Sequence, residues 1–276
     1  MTRDARHSAP SRGRHVTVSG VRLHYLDLEN TGGESANPPI VLIPGITSPA
    51  ITWEFVGQRL AAFAHVMILD NRGRGLSSGG AELGYSLEDY AHDAAGLIEQ
   101  LGLENAVVLG HSMGGRVGFK LAALRPDLVG SLIAADPPVT GPGRRPYPIP
   151  LQWYLDGIDA ASRGDKEDTS SPILKNWSAD QLALRAEWLP SCDKTAIAAS
   201  HASFHDEDIH SLLPAIRCRS LLIYAENGNT VDEDDAKEII ATINDCQAVR
   251  IDGVGHMIPW DDLDGFVTAV RGFVEN

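Results

Sequence analysis

Short runs of consecutive apolar residues, separated by segments with helical periodicity, constrain the fold of this chain more than any other feature. A strand that is apolar at every position is buried on both faces, as in parallel sheets that helices cover on both sides. The predicted strands are Val21–Leu28, Ile40–Ile43, Val66–Leu69, Ala106–Leu109, Leu132–Ala135, Ser220–Tyr224 and Ala248–Ile251. The pattern therefore predicts an α/β architecture built on a largely parallel sheet.

A proline-rich stretch interrupts this alternation. Residues 137–150 contain six prolines and show no usable period, which is typical of a hinge or an irregular loop. Residues 151–213 follow as amphipathic helical segments before the strands resume. We therefore expect residues 1–136 and 214–276 to form one core and residues 137–213 to form an inserted helical cap, or lid. The length of 276 residues suits such a single domain with an insertion.

The segment Gly110-His111-Ser112-Met113-Gly114 stands directly between a predicted buried strand and a predicted helix. A serine on a sharp strand-to-helix turn needs small neighbours, because flanking side chains would clash with adjacent elements. The helix that follows directs its N-terminus towards the serine, so the amide of Met113 can stabilise an oxyanion. The sequence predicts Ser112 as a nucleophile, and the alternative is a tight turn without chemistry.

A serine hydroxyl needs a base within hydrogen-bond reach. The candidate is His256, which follows Gly253 and Gly255 in the loop after the last predicted strand and before the closing helix. Histidines in proteins are more often packed or surface residues than bases. The position of His256 in a loop that follows a strand favours the functional interpretation.

These residues resemble the α/β-hydrolase family over nearly the whole chain, from Val21 to Phe273. The resemblance implies an eight-stranded, mostly parallel sheet with a helical lid inserted after the sixth strand. It also implies that Ile46 donates the second oxyanion-hole amide beside Met113. The patterns that carry the resemblance are Ile43-Pro44-Gly45-Ile46, Asp70-Asn71-Arg72-Gly73-Arg74-Gly75-Leu76-Ser77, Gly110-His111-Ser112-Met113-Gly114-Gly115 and Gly255-His256.

The chain departs from this family at the acid that orients the histidine. Most members carry an aspartate shortly after the seventh strand, where this chain has Gly228. Asp136 stands at the end of the preceding strand, a position from which some members present the acid. We therefore expect Asp136 to complete a Ser-His-Asp triad. Glu226, Asp232 and Asp234 remain alternatives.

Asp136 and the proline-rich stretch behind it narrow the resemblance to a group of amide hydrolases of bacterial N-heterocycle breakdown. This resemblance implies hydrolysis, through an acyl-enzyme and without cofactor or metal, of the N-formyl or N-acyl bond of a small unsaturated dicarboxylate amide. N-formylmaleamate, of nicotinate degradation, is such a substrate. The alternatives are an ester or carbon–carbon bond hydrolase, a ligand receptor with little turnover, and a cofactor-free oxygenase.

The formal net charge of −14 disfavours nucleic acid and anionic membranes as partners. It also repels an anionic substrate at long range, so local guanidinium groups must bind the carboxylate. The alternatives are solvated arginines and aromatic residues that only pack the lid. The predicted substrate-binding residues are Arg144, Arg145, Tyr147, Arg185 and Trp188.

Three features bear on location and on metal binding. The first twenty residues hold no apolar run fit for a signal peptide, and the three cysteines show no disulfide or CxxC spacing. We therefore expect a cytoplasmic protein; a homo-oligomer stays open. His201 and His205, four residues apart, match a metal-binding spacing, but a solvated lid helix is the favoured interpretation.

Overall fold

A computed structural model describes residues 11–33, 37–165 and 173–276. The described residues form one eight-stranded sheet in the order β1-β2-β4-β3-β5-β6-β7-β8. Strands β1 and β2 run antiparallel to their neighbours, and all pairs from β4 to β8 are parallel. The predicted mostly parallel sheet is thereby confirmed. The strands are β1 (Arg12–Val18), β2 (Val21–Leu28), β3 (Ile40–Ile43), β4 (Val66–Leu69), β5 (Ala106–His111), β6 (Val129–Ala135), β7 (Arg219–Ala225) and β8 (Cys246–Ile251).

Helices cover both faces of this sheet, and each face has its own apolar core. Residues of α2, α3 and α7 belong to one core, and residues of α1 and α9 belong to the other. The helices are α1 (Glu54–Leu60), α2 (Leu87–Leu101), α3 (Met113–Leu124), α4 (Leu151–Ser162), α5 (Ala179–Trp188), α6 (Lys194–Asp206), α7 (Glu233–Thr242), α8 (Ile258–Asp261) and α9 (Leu263–Val274). Short 3₁₀ helices span Ala50–Trp53, Leu189–Ser191 and His210–Ala215.

Helices α4, α5 and α6 all lie between β6 and β7 in the chain, within the segment predicted to be the lid. Trp177 of this segment stacks on Trp260, with ring centroids 4.6 Å apart. We keep the term lid for residues 137–213, whose status as a separate cap stays a prediction.

Strand β1 is the one strand of the sheet that the apolar pattern of the sequence does not predict. Its sequence is RGRHVTV, and its first four residues are exposed. The strand lies at the sheet edge and pairs with β2 alone. An edge strand that faces solvent lacks the apolar run by which the buried strands are recognised.

No helix in the part of the chain that the structure describes combines the length and the apolar character needed to cross a bilayer.

Candidate active site

Ser112 occupies a sharp turn between β5 and α3. Its backbone has φ 54° and ψ −120°, a region that non-glycine residues rarely adopt. A Cβ atom at Gly110 would overlap the carbonyl of Gly114, and a Cβ at Gly114 would overlap the carbonyl of Ile43. The close approach of these backbone segments therefore requires both glycines, and the turn presents the serine side chain at the end of the sheet.

His256 bridges the serine and a carboxylate. Its Nε2 lies 3.0 Å from Oγ of Ser112, and its Nδ1 lies 2.6 Å from Oδ2 of Asp136. A carboxylate beside Nδ1 favours the tautomer in which Nδ1 carries the proton and Nε2 can accept one from the serine. The structure thus brings together the three residues that the sequence predicts as a triad.

Asp136 is fully buried at the end of β6. Its amide donates to the carbonyl of Ile223 at 2.7 Å, and its Oδ1 accepts from the amide of Ala225 at 3.2 Å. A Cβ atom at Gly228 would lie 2.6 Å from Oδ2 of Asp136. The carboxyl group of Asp136 therefore leaves no room for a side chain at the position where most α/β-hydrolases carry their acid.

The alternative acids have other partners. Glu226 accepts from the amide of Gly253 at 2.8 Å, and Asp234 pairs with Lys237 at 2.9 Å. Asp232 caps the N-terminus of α7. Within the described chain, none of the three has a hydrogen bond to His256. Of the candidate acids, the geometry favours Asp136.

Thr230 is a buried neighbour of the histidine that no sequence signal marks. Its Oγ1 lies 3.0 Å from Nδ1 of His256 and donates to the carbonyl of Gly228 at 3.1 Å. Because the hydroxyl proton goes to that carbonyl, its oxygen is free to accept from the imidazole N–H. The N–H therefore has two acceptors, the carboxylate and the hydroxyl.

His111 supports His256 from the side of the sheet. Its Nε2 lies 2.9 Å from the carbonyl oxygen of His256, and the two rings are 5.0 Å apart. Complete burial, with the nearby His256 as a smaller cause, lowers the pKa of His111 to about 3. The ring is therefore neutral at physiological pH, and its Nε2–H donates to the carbonyl of His256.

Ile46 and Met113, the predicted oxyanion-hole residues, lie on either side of the serine. Met113 is the first residue of α3, so its amide belongs to the positive end of the helix. Ile46 follows β3 in a segment whose Gly45 lies against Ser112. Both residues thus adjoin the turn that carries Ser112, and their role in an oxyanion hole stays a prediction.

A small cavity opens beside Ser112 and His256. Its walls include Ile46 and Thr47 of the core and Trp153, Trp177 and Arg185 of the lid. The guanidinium carbon of Arg185 lies 6.0 Å from the ring centroid of Trp153 and 5.8 Å from that of Trp177. Among the described residues that line this cavity, Arg185 alone is a lysine or arginine, and no carboxylate is present. Arg185 is therefore the candidate partner of an anionic group of a ligand in this cavity.

Arg144 and Arg145, which the sequence predicts to bind the substrate, do not line this cavity, and that role stays a prediction. Arg144 forms a bidentate ion pair with Glu238, in which Nη1 lies 2.6 Å from Oε2 and Nη2 lies 2.5 Å from Oε1. Arg145 pairs with Asp232 at 2.7 Å and with Asp235. The acidic residues of α7 and its cap hold both arginines away from the cavity.

Tyr147 and Trp188 also lie outside the walls of this cavity. Tyr147 lines a second cavity, which shares His256 with the first. Its hydroxyl lies 2.8 Å from that of Tyr154, which does line the first cavity. Trp188 lines neither cavity. Tyr147 can therefore affect the site through Tyr154, whereas nothing places Trp188 there.

The histidine pair of the lid has no metal-binding geometry. Nε2 of His201 lies 2.8 Å from the carbonyl of Ile149, to which it donates. In residues 11–33, 37–165 and 173–276, no three histidine, cysteine or acidic side chains group as metal ligands.

Comparison with known proteins places this geometry in context. The family model described as "alpha/beta hydrolase fold" matches residues 38–263. N-formylmaleamate deformylase of Pseudomonas putida is 44% identical over 264 residues, which cover 96% of this chain and 97% of that protein.

Solved structures agree with this comparison. The N-formylmaleamic acid deformylase of Pseudomonas putida S16 superposes with a TM-score of 0.87 at 41% identity, covering 94% of this chain and 100% of that one. E-2-(acetamidomethylene)succinate hydrolase superposes with a TM-score of 0.75 at 24% identity, covering 97% of this chain and 100% of that one. The second likeness concerns the fold alone.

Proposed function

This chain belongs to the alpha/beta hydrolase fold family, and we propose that it is a serine hydrolase that deformylates N-formylmaleamate. The observation that carries the proposal is the hydrogen-bonded series Ser112–His256–Asp136 beside a cavity with one buried guanidinium. The 44% identity to a deformylase over nearly the whole chain supports the choice of bond and substrate. The products are maleamate and formate.

In the acylation step, Oγ of Ser112 attacks the formyl carbon while its proton passes to Nε2 of His256. The amides of Ile46 and Met113 bind the developing oxyanion. The carbon–nitrogen bond then breaks, and His256 returns the proton to the leaving nitrogen of maleamate. Water, deprotonated by the same nitrogen of His256, attacks the formyl ester and releases formate.

Asp136 acts through His256 and not on the substrate. Its carboxylate holds the proton on Nδ1 and stabilises the imidazolium that forms as the serine is deprotonated. The second acceptor, Thr230 Oγ1, limits rotation of the ring about its own axis. Both contacts keep Nε2 directed at Ser112.

Arg185 binds the carboxylate of the substrate in this scheme. A guanidinium group and a carboxylate form paired, charge-assisted hydrogen bonds, and the walls of Trp153 and Trp177 shield that pair from water. N-formylmaleamate carries one carboxylate, whereas acetamidomethylene succinate carries two. A cavity whose described lining supplies one cation favours the substrate with one carboxylate.

Hydrolysis assays test the proposal: formate release is measured with N-formylmaleamate, acetate release with acetamidomethylene succinate, and p-nitrophenolate absorbance with p-nitrophenyl acetate. Wild type is compared with Ser112→Ala, and the exposed Ser211→Ala serves as the matched control. We expect turnover of N-formylmaleamate in wild type and control, and none in Ser112→Ala. Equal formate release by Ser112→Ala would show that another group performs the chemistry.

The same panel separates the competing functions. Preferential cleavage of p-nitrophenyl acetate would favour an esterase. A single burst without further turnover would favour a ligand receptor. Fluorophosphonate labelling supports the nucleophile if it modifies Ser112, and modification of any other residue contradicts it.

We further propose that the enzyme acts in the cytoplasm, on a small anionic amide, without nucleic acid or membrane as partner. The three cysteines are all free, which suits a reducing compartment. Fractionation of cells that produce the protein tests the location.

A further inference from the structure

A fully buried arginine, Arg74, lies directly behind the predicted oxyanion hole. Its Nε donates to the carbonyl of Ile46 at 2.9 Å, and its Nη2 approaches Sδ of Met113 at 3.8 Å. These are the two residues whose amides are predicted to bind the oxyanion. One guanidinium group thus contacts both of them.

The other donors of Arg74 also have partners, and all of these are uncharged. Nη1 donates to the carbonyl of Arg72 at 2.8 Å and to the hydroxyl of Tyr90. Nη2 donates to Oγ of Ser200 at 2.8 Å. The guanidinium group is therefore held in one orientation by hydrogen bonds that leave its charge intact.

The lack of a counter-ion distinguishes Arg74 from its neighbour. Arg72 is also buried, and its Nε and Nη2 bond both carboxylate oxygens of Asp93 at 2.6 and 2.7 Å. Among the ion pairs of the described residues, none includes Arg74. An arginine stays protonated, and burying its charge without a carboxylate is costly. The positive charge of Arg74 is therefore not neutralised by a paired carboxylate and can interact with a negative charge that forms nearby.

We propose that Arg74 is a positioning residue of the oxyanion hole, whose fixed positive charge stabilises the negatively charged tetrahedral intermediate. The intermediate supplies the missing negative charge at the moment it forms. In a buried site such a field is screened far less than in water. The inference rests on Ser112 as nucleophile and on the two amides, but not on the identity of the substrate.

The lid takes part in holding this charge. Ser200 lies on α6 and is fully buried, and its Oγ is 2.8 Å from the hydroxyl of Tyr90. A Ser200→Ala variant removes one acceptor and keeps the cation. It is therefore a matched control that separates loss of a hydrogen bond from loss of charge.

Substitution of Arg74 by methionine removes the charge and keeps an unbranched side chain. With p-nitrophenyl acetate we expect kcat to fall by about 10-fold to 100-fold while KM stays within about twofold, because the neutral ground state does not use the charge. Arg74→Lys, which keeps a cation, should lose less than Arg74→Met. Ser200→Ala should lose less than about fivefold.

Methylboronic acid tests whether the lost stabilisation follows negative charge in the oxyanion hole, and Arg74→Lys, which keeps a cation, separates this from a shift of the two amides. Oγ of Ser112 adds to the neutral boron, the proton passes to His256, and the tetrahedral adduct carries one negative charge in the oxyanion hole. We expect the inhibition constant of Arg74→Met to rise by the same factor as kcat falls, at constant KM. Parallel losses in KM and inhibition constant, or equal losses in Arg74→Lys and Arg74→Met, would overturn the proposal.

These experiments distinguish failure of the proposed substrate from failure of the proposed role of Arg74. If wild type hydrolyses the ester but not N-formylmaleamate, the proposed substrate fails and the Arg74 experiment still stands. If Arg74→Met does not fold, Arg74→Gln decides: it also removes the charge but keeps an amide that can donate hydrogen bonds, so a raised inhibition constant at constant KM supports the proposal. Unchanged inhibition constant and kcat in Arg74→Gln refute it.

Discussion

A side chain at position 228 would occupy the same space as the carboxyl group of Asp136. This overlap can be tested by moving the carboxyl group from position 136 to position 228. A Cβ at Gly228 would lie 2.6 Å from Oδ2 of Asp136 and 3.0 Å from Cβ of Ala225. A carboxyl oxygen extends about 2.4 Å beyond Cβ of an aspartate by standard bond lengths. An aspartate at 228 can therefore place an oxygen where Oδ2 now lies, provided that residue 136 has been cut back.

Three variants follow from this geometry. Asp136→Gly removes the acid without straining a backbone whose φ is 45°, and we expect kcat to fall by about 10⁴-fold, as when an acid of this kind is lost elsewhere. Gly228→Asp alone forces two carboxylates together and should lose at least as much activity and lower Tm. The double variant should regain about 10-fold to 10³-fold over Asp136→Gly.

The assay is kcat/KM for p-nitrophenyl acetate, with Tm measured on each variant. Asp136→Gly combined with Gly228→Asn is the matched control, since asparagine has the shape of aspartate without its charge. A double variant no more active than Asp136→Gly would refute the shared-volume reasoning. Equal rescue by asparagine would show that filling the space, and not the carboxylate, restores activity.

Three further perturbations have defined outcomes. Arg185→Met should raise KM for N-formylmaleamate by about 100-fold, because it removes a buried charge pair worth about 3 kcal/mol. In the control Arg144→Ala, KM should stay within about twofold of wild type. Equal effects of the two substitutions would contradict the assignment of Arg185 to the substrate carboxylate. Thr230→Val should lower kcat by about threefold to tenfold at unchanged Tm, as expected for one hydrogen bond, and a wild-type kcat would exclude a role for the second acceptor. Burial lowers the pKa of His111 to about 3 in the folded protein, whereas the pKa of a histidine in the unfolded chain is about 6.5. Between these two pH values the unfolded chain binds a proton at His111 and the folded protein does not. The free energy of unfolding should thus fall as the pH decreases from 6.5 to 3, by up to about 1.4 kcal/mol per pH unit. In urea unfolding, the decrease in this free energy from pH 7 to pH 5 should be about 2 kcal/mol smaller in His111→Gln than in wild type. An identical decrease in both proteins would refute the buried neutral state of His111.

Much of the sheet is predictable from the sequence because its central strands are buried on both faces. Ile40–Ile43 and Val66–Leu69 are apolar at every position and have the same bounds in the structure. The residues of β1 face solvent at the edge, so their burial carries no comparable signal. The serine and the histidine are predictable because each stands beside glycines after a strand, which is a local pattern.

The residues that the sequence does not reveal act through tertiary contacts. Thr230 and Arg74 have no motif of their own, and only folding brings them to His256 and to Ile46. Arg144 and Arg145 looked suitable because they follow Asp136 in the chain. The carboxylates that bind them lie on α7 and its cap, about 90 residues later, a proximity that no local pattern encodes.

The placement of the acid at the end of β6 has a consequence for engineering the lid. The lid segment starts at Pro137, so a triad member and the lid are covalent neighbours. The fully buried Arg116 holds this junction, because its Nη1 donates to the carbonyls of Pro138 and Thr140 at 2.8 and 2.9 Å while its Nη2 donates to those of Ser203 and Glu207 at 3.0 and 2.8 Å. Another lid transplanted onto this core should therefore be joined beyond Thr140 and should supply two carbonyls for Nη2.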